Sequence, residues 1–240
     1  MEPLSSTVAL VTGAGGGIGR AIARALVSAG TDVWLVGRTQ ATLDETAQAC
    51  SGEQVHVRRL DLTNADEMEA LARDLEQEAK RVDVLVHCAG VIEHGRMEEA
   101  PVQWMDDQYA ANVRVFYALV QRLLPLLRTG PGQIVVVNSS VVSAPRPGVG
   151  QFAATQHALR ALTDTLRQEV NPDGVRVLSV FPGRTATTRQ ERLFAAEQRP
   201  YRPELLLQPE DVATMVVTSL TLPRTAEVTD IYVRPMLKSY

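Results

Sequence analysis

The chain's 240 residues suit one α/β domain, because single domains of this class often exceed the usual modal size. Its hydrophobic share of 45% is ordinary for a globular protein, and the 16 glycines and 13 prolines are scattered between patterned segments, which excludes a low-complexity or disordered chain. A formal net charge of -4 gives no broad positive field, so nucleic acid and anionic membrane are excluded as partners and small-molecule chemistry is expected.

Among 24 basic residues only Lys80 and Lys238 are lysine, so the positive charge is written almost wholly as arginine. Cys50 and Cys88 stand far apart without metal-ligand spacing, which predicts buried free thiols in a reducing compartment and no metal site. The opening MEPLSSTVALVTG lacks a basic region followed by a long apolar core, and no apolar run reaches the roughly 20 residues that span a bilayer. A soluble cytoplasmic protein is the expectation.

In chain order, short β-branched runs predict seven strands: TVALVTG, DVWLVGR, VHVRRLDL, VDVLVHCAG, QIVVVNSS, VRVLSVFPG and EVTDIYVRP. Between them, segments such as IGRAIARALVSAG, ADEMEALARDLEQEAK and VRVFYALVQRLLPLL repeat apolar residues every three or four positions and predict helices. Near-continuous apolar strands alternating with helices describe a doubly wound parallel sheet with helices on both faces, one domain over residues 1–240. Residues 184–208, rich in Arg, Gln and Pro, are the least patterned and read as a mobile flap over a substrate. Ligand should enter at the carboxyl ends of the strands.

The first strand runs into TGAGGGIG, Thr12 to Gly19, which opens the first helix. Without Cβ atoms, Gly13 and Gly17 let the backbone turn tightly and approach a diphosphate, and Gly19 allows helix to pack closely on sheet. The sixth position from Gly13 is Ile18, so the spacing is GxxxGxG and not GxGxxG. At the second strand's end, VGR places Arg38 where an NAD enzyme would carry a carboxylate; a guanidinium there suits a 2′-phosphate, so NADP is favoured over NAD. After the third strand, Asp61 and Leu62 are placed beside the adenine, with an ordinary strand-end turn as the competing reading of Asp61.

TGxxxGIG, LDLT, CAG at Cys88 to Gly90, Asn112, the Ser pair and PGRTAT, taken in this order, make the chain resemble the short-chain dehydrogenase/reductase family over almost its whole length. The resemblance implies a Rossmann-type fold, a nicotinamide cofactor bound partly by Ala89 and Gly90, and hydride exchange between ketones and secondary alcohols. It also implies homodimers or homotetramers built through long helices near 102–128 and 152–170. By the same resemblance, Asn112 supports a proton-relay water and Ser140 polarises the substrate, with Ser139 and Ser143 as alternatives. Thr187 steadies the nicotinamide carboxamide above the turn at Pro182 and Gly183.

Two positions depart from the family's pattern. A tyrosine that donates the proton, and a lysine one helical turn later that lowers the tyrosine's pKa and holds the ribose, are here Phe152 and Gln156. Arginine, not glutamine, would follow from the chain's own avoidance of lysine, so the charge loss is specific. A smaller departure puts His87 where the family's first NNAG asparagine ties neighbouring strands. His157 is a candidate substitute acid, about a quarter-turn from Gln156, and Tyr201 is a packing residue near the substrate pocket. Three readings stay open: an oxidoreductase of a small carbonyl or hydroxyl compound with altered proton delivery, a silent NADP(H)-binding protein, and an active parent altered at these two positions.

Overall fold

Val, Ile and Leu dominate the five inner strands because both faces of each are covered, whereas the edge strands VHVRR and DIYV mix in polar residues; a pleated strand sends alternate side chains to opposite layers. The computed structural model describes residues 3–50 and 54–237; Lys238 lies outside them. Strands β1 (Val8–Thr12), β2 (Asp32–Gly37), β3 (Val55–Arg59), β4 (Val84–His87), β5 (Gln133–Val137), β6 (Arg176–Pro182) and β7 (Asp230–Val233) form one parallel sheet in the order β3-β2-β1-β4-β5-β6-β7. All seven match the runs read from sequence.

The helices are α1 (Gly17–Ser28), α2 (Gln40–Gln48), α3 (Ala65–Asp74), α4 (Val102–Tyr109), α5 (Val115–Leu127), α6 (Gly150–Val170), α7 (Thr188–Ala196) and α8 (Pro209–Leu220). Leu10, Trp34, Val36 and Leu85 join one core layer with Leu71, Phe116, Leu119 and Leu159 of α3, α5 and α6. Their strand neighbours Ala9, Val11, Val33, Leu35, Val84 and Val86 join the opposite layer with Ile22, Leu26 and Val216 of α1 and α8. Two of the arginines brace the frame: buried Arg167 donates to the carbonyls of Val177 and Thr229, and Arg176 donates to those of Leu220, Leu222 and Ala226 and to Gln133 Oε1.

Strand order reverses between β1 and β4, since the chain winds outward to β3 and then returns to β1's other side. The carboxyl ends of β1 and β4 therefore diverge into a crevice, the position where such sheets bind ligands. Residues 184–208, the least patterned part of the sequence, are nonetheless folded. They hold α7 and a one-turn helix at Pro203–Leu205, and their neck is closed by Ala186 N to Leu207 O and Leu207 N to Arg184 O, 2.7 and 3.1 Å. In TRQERLFAA only Phe194 is buried, so α7 lacks the apolar stripe that periodicity detects.

Candidate functional site

The glycines after β1 are required by geometry. Gly13 has φ +67° and Gly17 φ +52°, conformations that L side chains rarely adopt. A Cβ on Gly13 would lie 2.9 Å from the Cys88 carbonyl and Ala89 nitrogen, and one on Gly19 would collide with the Gly13 carbonyl oxygen. Helix α1 thus starts hard against the ends of β1 and β4. Its N-terminus has no side-chain cap and no carboxylate in its first turn, so the first main-chain amides, including Ile18 and Gly19, keep their donors and partial positive charge.

Beyond β2, Arg38 is exposed and lies within Coulombic reach of Asp61. Asp61 Oδ1 accepts from the amide and hydroxyl of Thr63, at 2.9 and 2.8 Å, and these bonds hold its carboxyl below the usual range. Asp61 therefore makes an Asx turn through Oδ1 alone, and Leu62 beside it is buried.

At the end of β4, Thr12 organises the strand pair. Its hydroxyl oxygen accepts from the amides of Cys88 and Ala89, both at 3.2 Å, and lies 3.0 Å from His87 Nδ1. With its lone pairs so used, the hydroxyl donates to Nδ1, which puts the imidazole proton on Nε2, a buried atom without a partner among the described residues. Burial lowers the His87 pKa to about 4 and pushes the Cys88 thiol up to about 12, so both are neutral. His87 ties β4 to β1, the bracing expected of an asparagine at this position.

Asn112 sits in a π turn, Ala110–Arg114, that joins α4 to α5 and aims it into the fold. Its Oδ1 accepts from Val91 N at 2.7 Å, and its Nδ2 donates to Val91 O at 2.9 Å and Thr155 Oγ1 at 3.1 Å. Thr155 in turn donates to Phe152 O at 2.8 Å. Asn138, past β5, donates to Gln156 O at 3.1 Å and accepts from Ser139 N at 2.7 Å. These bonds draw Asn112, the Ser139–Ser140 pair, Phe152 and Gln156 around one end of the crevice.

Ser139 Oγ caps the one-turn helix Ser140–Val142 by accepting from Val141 N at 3.2 Å, whereas Ser140 is half-buried and uncommitted to that cap. Phe152 is half-buried against Val141, Val149 and Ala153. Gln156 is 4% exposed. His157 faces outward, with Nδ1 held 2.8 Å from Ala153 O on its own helix, so the structure does not bring this candidate acid to the site.

The model of the family described as short chain dehydrogenase matches residues 7–198. The chain belongs to the short-chain dehydrogenase family. An uncharacterized oxidoreductase of Staphylococcus aureus is 31% identical over 237 residues, which is 98% of this chain and 100% of the relative. Among solved structures, an alcohol dehydrogenase from the archaeon Thermococcus sibiricus, complexed with 5-hydroxy-NADP, superposes with TM-score 0.86 at 29% identity over 98% of each chain. A metagenomic short-chain oxidoreductase in complex with NADP gives 0.85 at 27% identity, over 99% of this chain and 100% of that one.

In this short-chain dehydrogenase the β6 end closes the crevice. Pro182 ends the strand, Gly183 donates to Val233 O at 2.7 Å, and Thr187 caps α7 by accepting from Gln190 N at 3.1 Å. A Cβ on Gly17 would lie 3.0 Å from Thr187 Cγ2, so α7 stands against the glycine turn. A cavity of about 310 Å³ opens beside them, lined by Gly17, Arg20, Arg24, Thr187, Glu191 and Tyr201. The Tyr201 ring packs edge-on against Phe194, 5.7 Å between centroids. Sequence reading passed over Arg189, whose Nη2 donates to Gly90 O at 2.8 Å across the crevice; its place two residues after PGRTAT was its only signal.

Proposed function

We propose that this oxidoreductase binds NADP(H) in the crevice above β1 and β4 and exchanges hydride between a ketone and a secondary alcohol, with an altered proton-transfer step. The observation that carries the reading is the uncapped start of α1, whose amides have no acidic neighbour and follow a glycine turn packed against the end of β4. The residues present fit a dinucleotide. Ile18 and Gly19 would hold the diphosphate, Arg38 the 2′-phosphate, Asp61, Leu62 and Ala89 the adenosine half, and Gly90, Pro182, Gly183 and Thr187 the nicotinamide half. Both structural neighbours described above carry an NADP or its derivative, which supports the same choice.

When bound, the nicotinamide supplies or accepts the hydride. The chain's own residues position and polarise. Ser140 presents a hydroxyl to the substrate oxygen, and Asn112 fixes Val91 and, through Thr155, the start of α6. Phe152 offers a ring with no proton, and Gln156 an amide with no charge. A positioned acid contributes about 10²- to 10⁴-fold, so the remaining proton sources are Ser140, water, or an acidic group on the substrate itself. A catalytically silent NADP(H)-binding protein is the second reading, favoured by the simultaneous change of both positions.

Exposed Val102, Tyr109 and Tyr117 on α4 and α5 support assembly through these helices, as a homodimer or homotetramer. No helix among the described residues is long and apolar enough to cross a membrane. The functional test is fluorescence titration with NADPH and NADH, followed by assay of a ketone panel beside the Phe152→Tyr, Gln156→Lys double variant. NADPH binding with measurable turnover by the unmodified chain supports the oxidoreductase; turnover only in the variant selects the silent reading, and failure to bind either coenzyme overturns both.

A further inference from the structure

Arg189 lies on the first turn of α7, two residues beyond Thr187, and its bond to Gly90 O carries the guanidinium from the β6 end of the crevice to the β4 end. That path crosses the glycine turn, because Thr187 stands over Gly17 and Gly90 follows the β4 residues that pack on Gly13. The walls around its tip and the charge of Arg38 lower the Arg189 pKa, although solvent still reaches the side chain through the open crevice. Elsewhere Arg20, Arg58, Arg81, Arg122, Arg128 and Arg184 each meet a carboxylate. Arg189 and Arg38 have none within 4.0 Å among the described residues, like the exposed Arg24, Arg59, Arg73 and Arg114, but these two lie within Coulombic reach of each other.

Two neighbouring guanidinium groups repel each other, and a neutral carbonyl compensates Arg189 only weakly. The third positive feature, the uncapped start of α1, lies beside α7, because a Cβ on Gly17 would touch Thr187, two residues before Arg189. All three are satisfied at once by a ligand with two separated anionic groups. We propose that Arg189 is the cationic ligand of a dinucleotide's diphosphate, closing α7 over the phosphates from the side opposite the α1 amides, while Arg38 serves the 2′-phosphate. This inference rests on reading the crevice as a dinucleotide site. The guanidinium exchanges the Gly90 carbonyl for phosphate oxygens, a bidentate contact that a lysine at 189 would make only as a point charge.

The division of labour is tested by titrating NADPH and NADH against the unmodified protein, Arg189→Met, Arg189→Lys and Arg38→Asp, with thermal unfolding as the check on folding. Arg189→Met should weaken both coenzymes equally, by about 10- to 100-fold, with Arg189→Lys recovering part of the loss. Arg38→Asp should weaken NADPH alone. Loss confined to NADPH in the Arg189 variants assigns that residue to the 2′-phosphate and overturns the proposal, as does unchanged binding of both. Should Arg189→Met fail to fold, the more conservative lysine variant carries the same comparison. An unmodified protein that binds neither coenzyme overturns the cofactor reading as well, so the two failures are distinguishable.

Discussion

At the β1 end of the crevice the chemistry belongs to the main chain; at the α6 end it belongs to side chains. The glycine turn depends on positive φ at Gly13 and Gly17 and on a missing Cβ at Gly19, and these same features seat α1 on the sheet. Around α6 the frame is held by Asn112, Thr155 and Asn138, which bond the main-chain carbonyls of Val91, Phe152 and Gln156. Nothing in that frame uses the side-chain ends of Phe152 or Gln156. Main-chain chemistry is therefore lost only by damaging the fold, whereas side-chain chemistry can be lost by two substitutions that leave the fold intact.

The largest effect that sharpens this contrast is expected from Phe152→Tyr with Gln156→Lys. If the frame is intact, turnover should rise about 10²- to 10⁴-fold, or roughly 3–5 kcal/mol in the barrier, measured as kcat/KM on the best ketone. Phe152→Tyr alone should give less, since no neighbouring cation lowers the phenol's pKa. No rise in the double variant would mean that the α6 end has lost geometry as well as side chains.

Next comes the pH dependence set by His87, which is neutral in the fold with a pKa of about 4 against an ordinary 6.5. Below pH 6.5 the unfolded chain takes up a proton that the native one refuses. Stability is therefore full above 6.5, falls as pH drops to 4, and levels off below it. The loss amounts to about 3 kcal/mol. His87→Asn should flatten that part of the urea-unfolding profile between pH 4.5 and 7.5; an unchanged slope would remove His87 as its source.

Gly19→Ala tests the main-chain end directly, because its Cβ would meet backbone, not a flexible side chain. It should cost about 1–3 kcal/mol in unfolding free energy and weaken coenzyme binding in parallel. An unaltered Tm would show that the turn yields. The smallest effect is expected from Arg38→Asp, about tenfold weaker for NADPH, near 1.4 kcal/mol, with NADH spared. Equal loss for both coenzymes would remove the 2′-phosphate from Arg38.

The helices were legible because one-sided burial imposes a period of 3.6 on hydrophobic residues, and the inner strands because burial on both faces makes them continuous apolar runs, in which neighbours such as Leu10 and Val11 enter opposite core layers. Helix α7 was illegible for the converse reason, since one buried phenylalanine makes no period. His87 could be placed at a strand end, but that it braces β1 through Thr12 depends on a residue 75 positions away.

The sequence by itself determined the doubly wound sheet and the glycine turn, because these are written in local spacing. Only the tertiary structure decided that His157 faces away and that Arg189 spans the crevice to Gly90. Those are meetings of side chains with groups on other strands and helices, or choices of helix face. Their distances are fixed by how the layers pack, which no local pattern encodes.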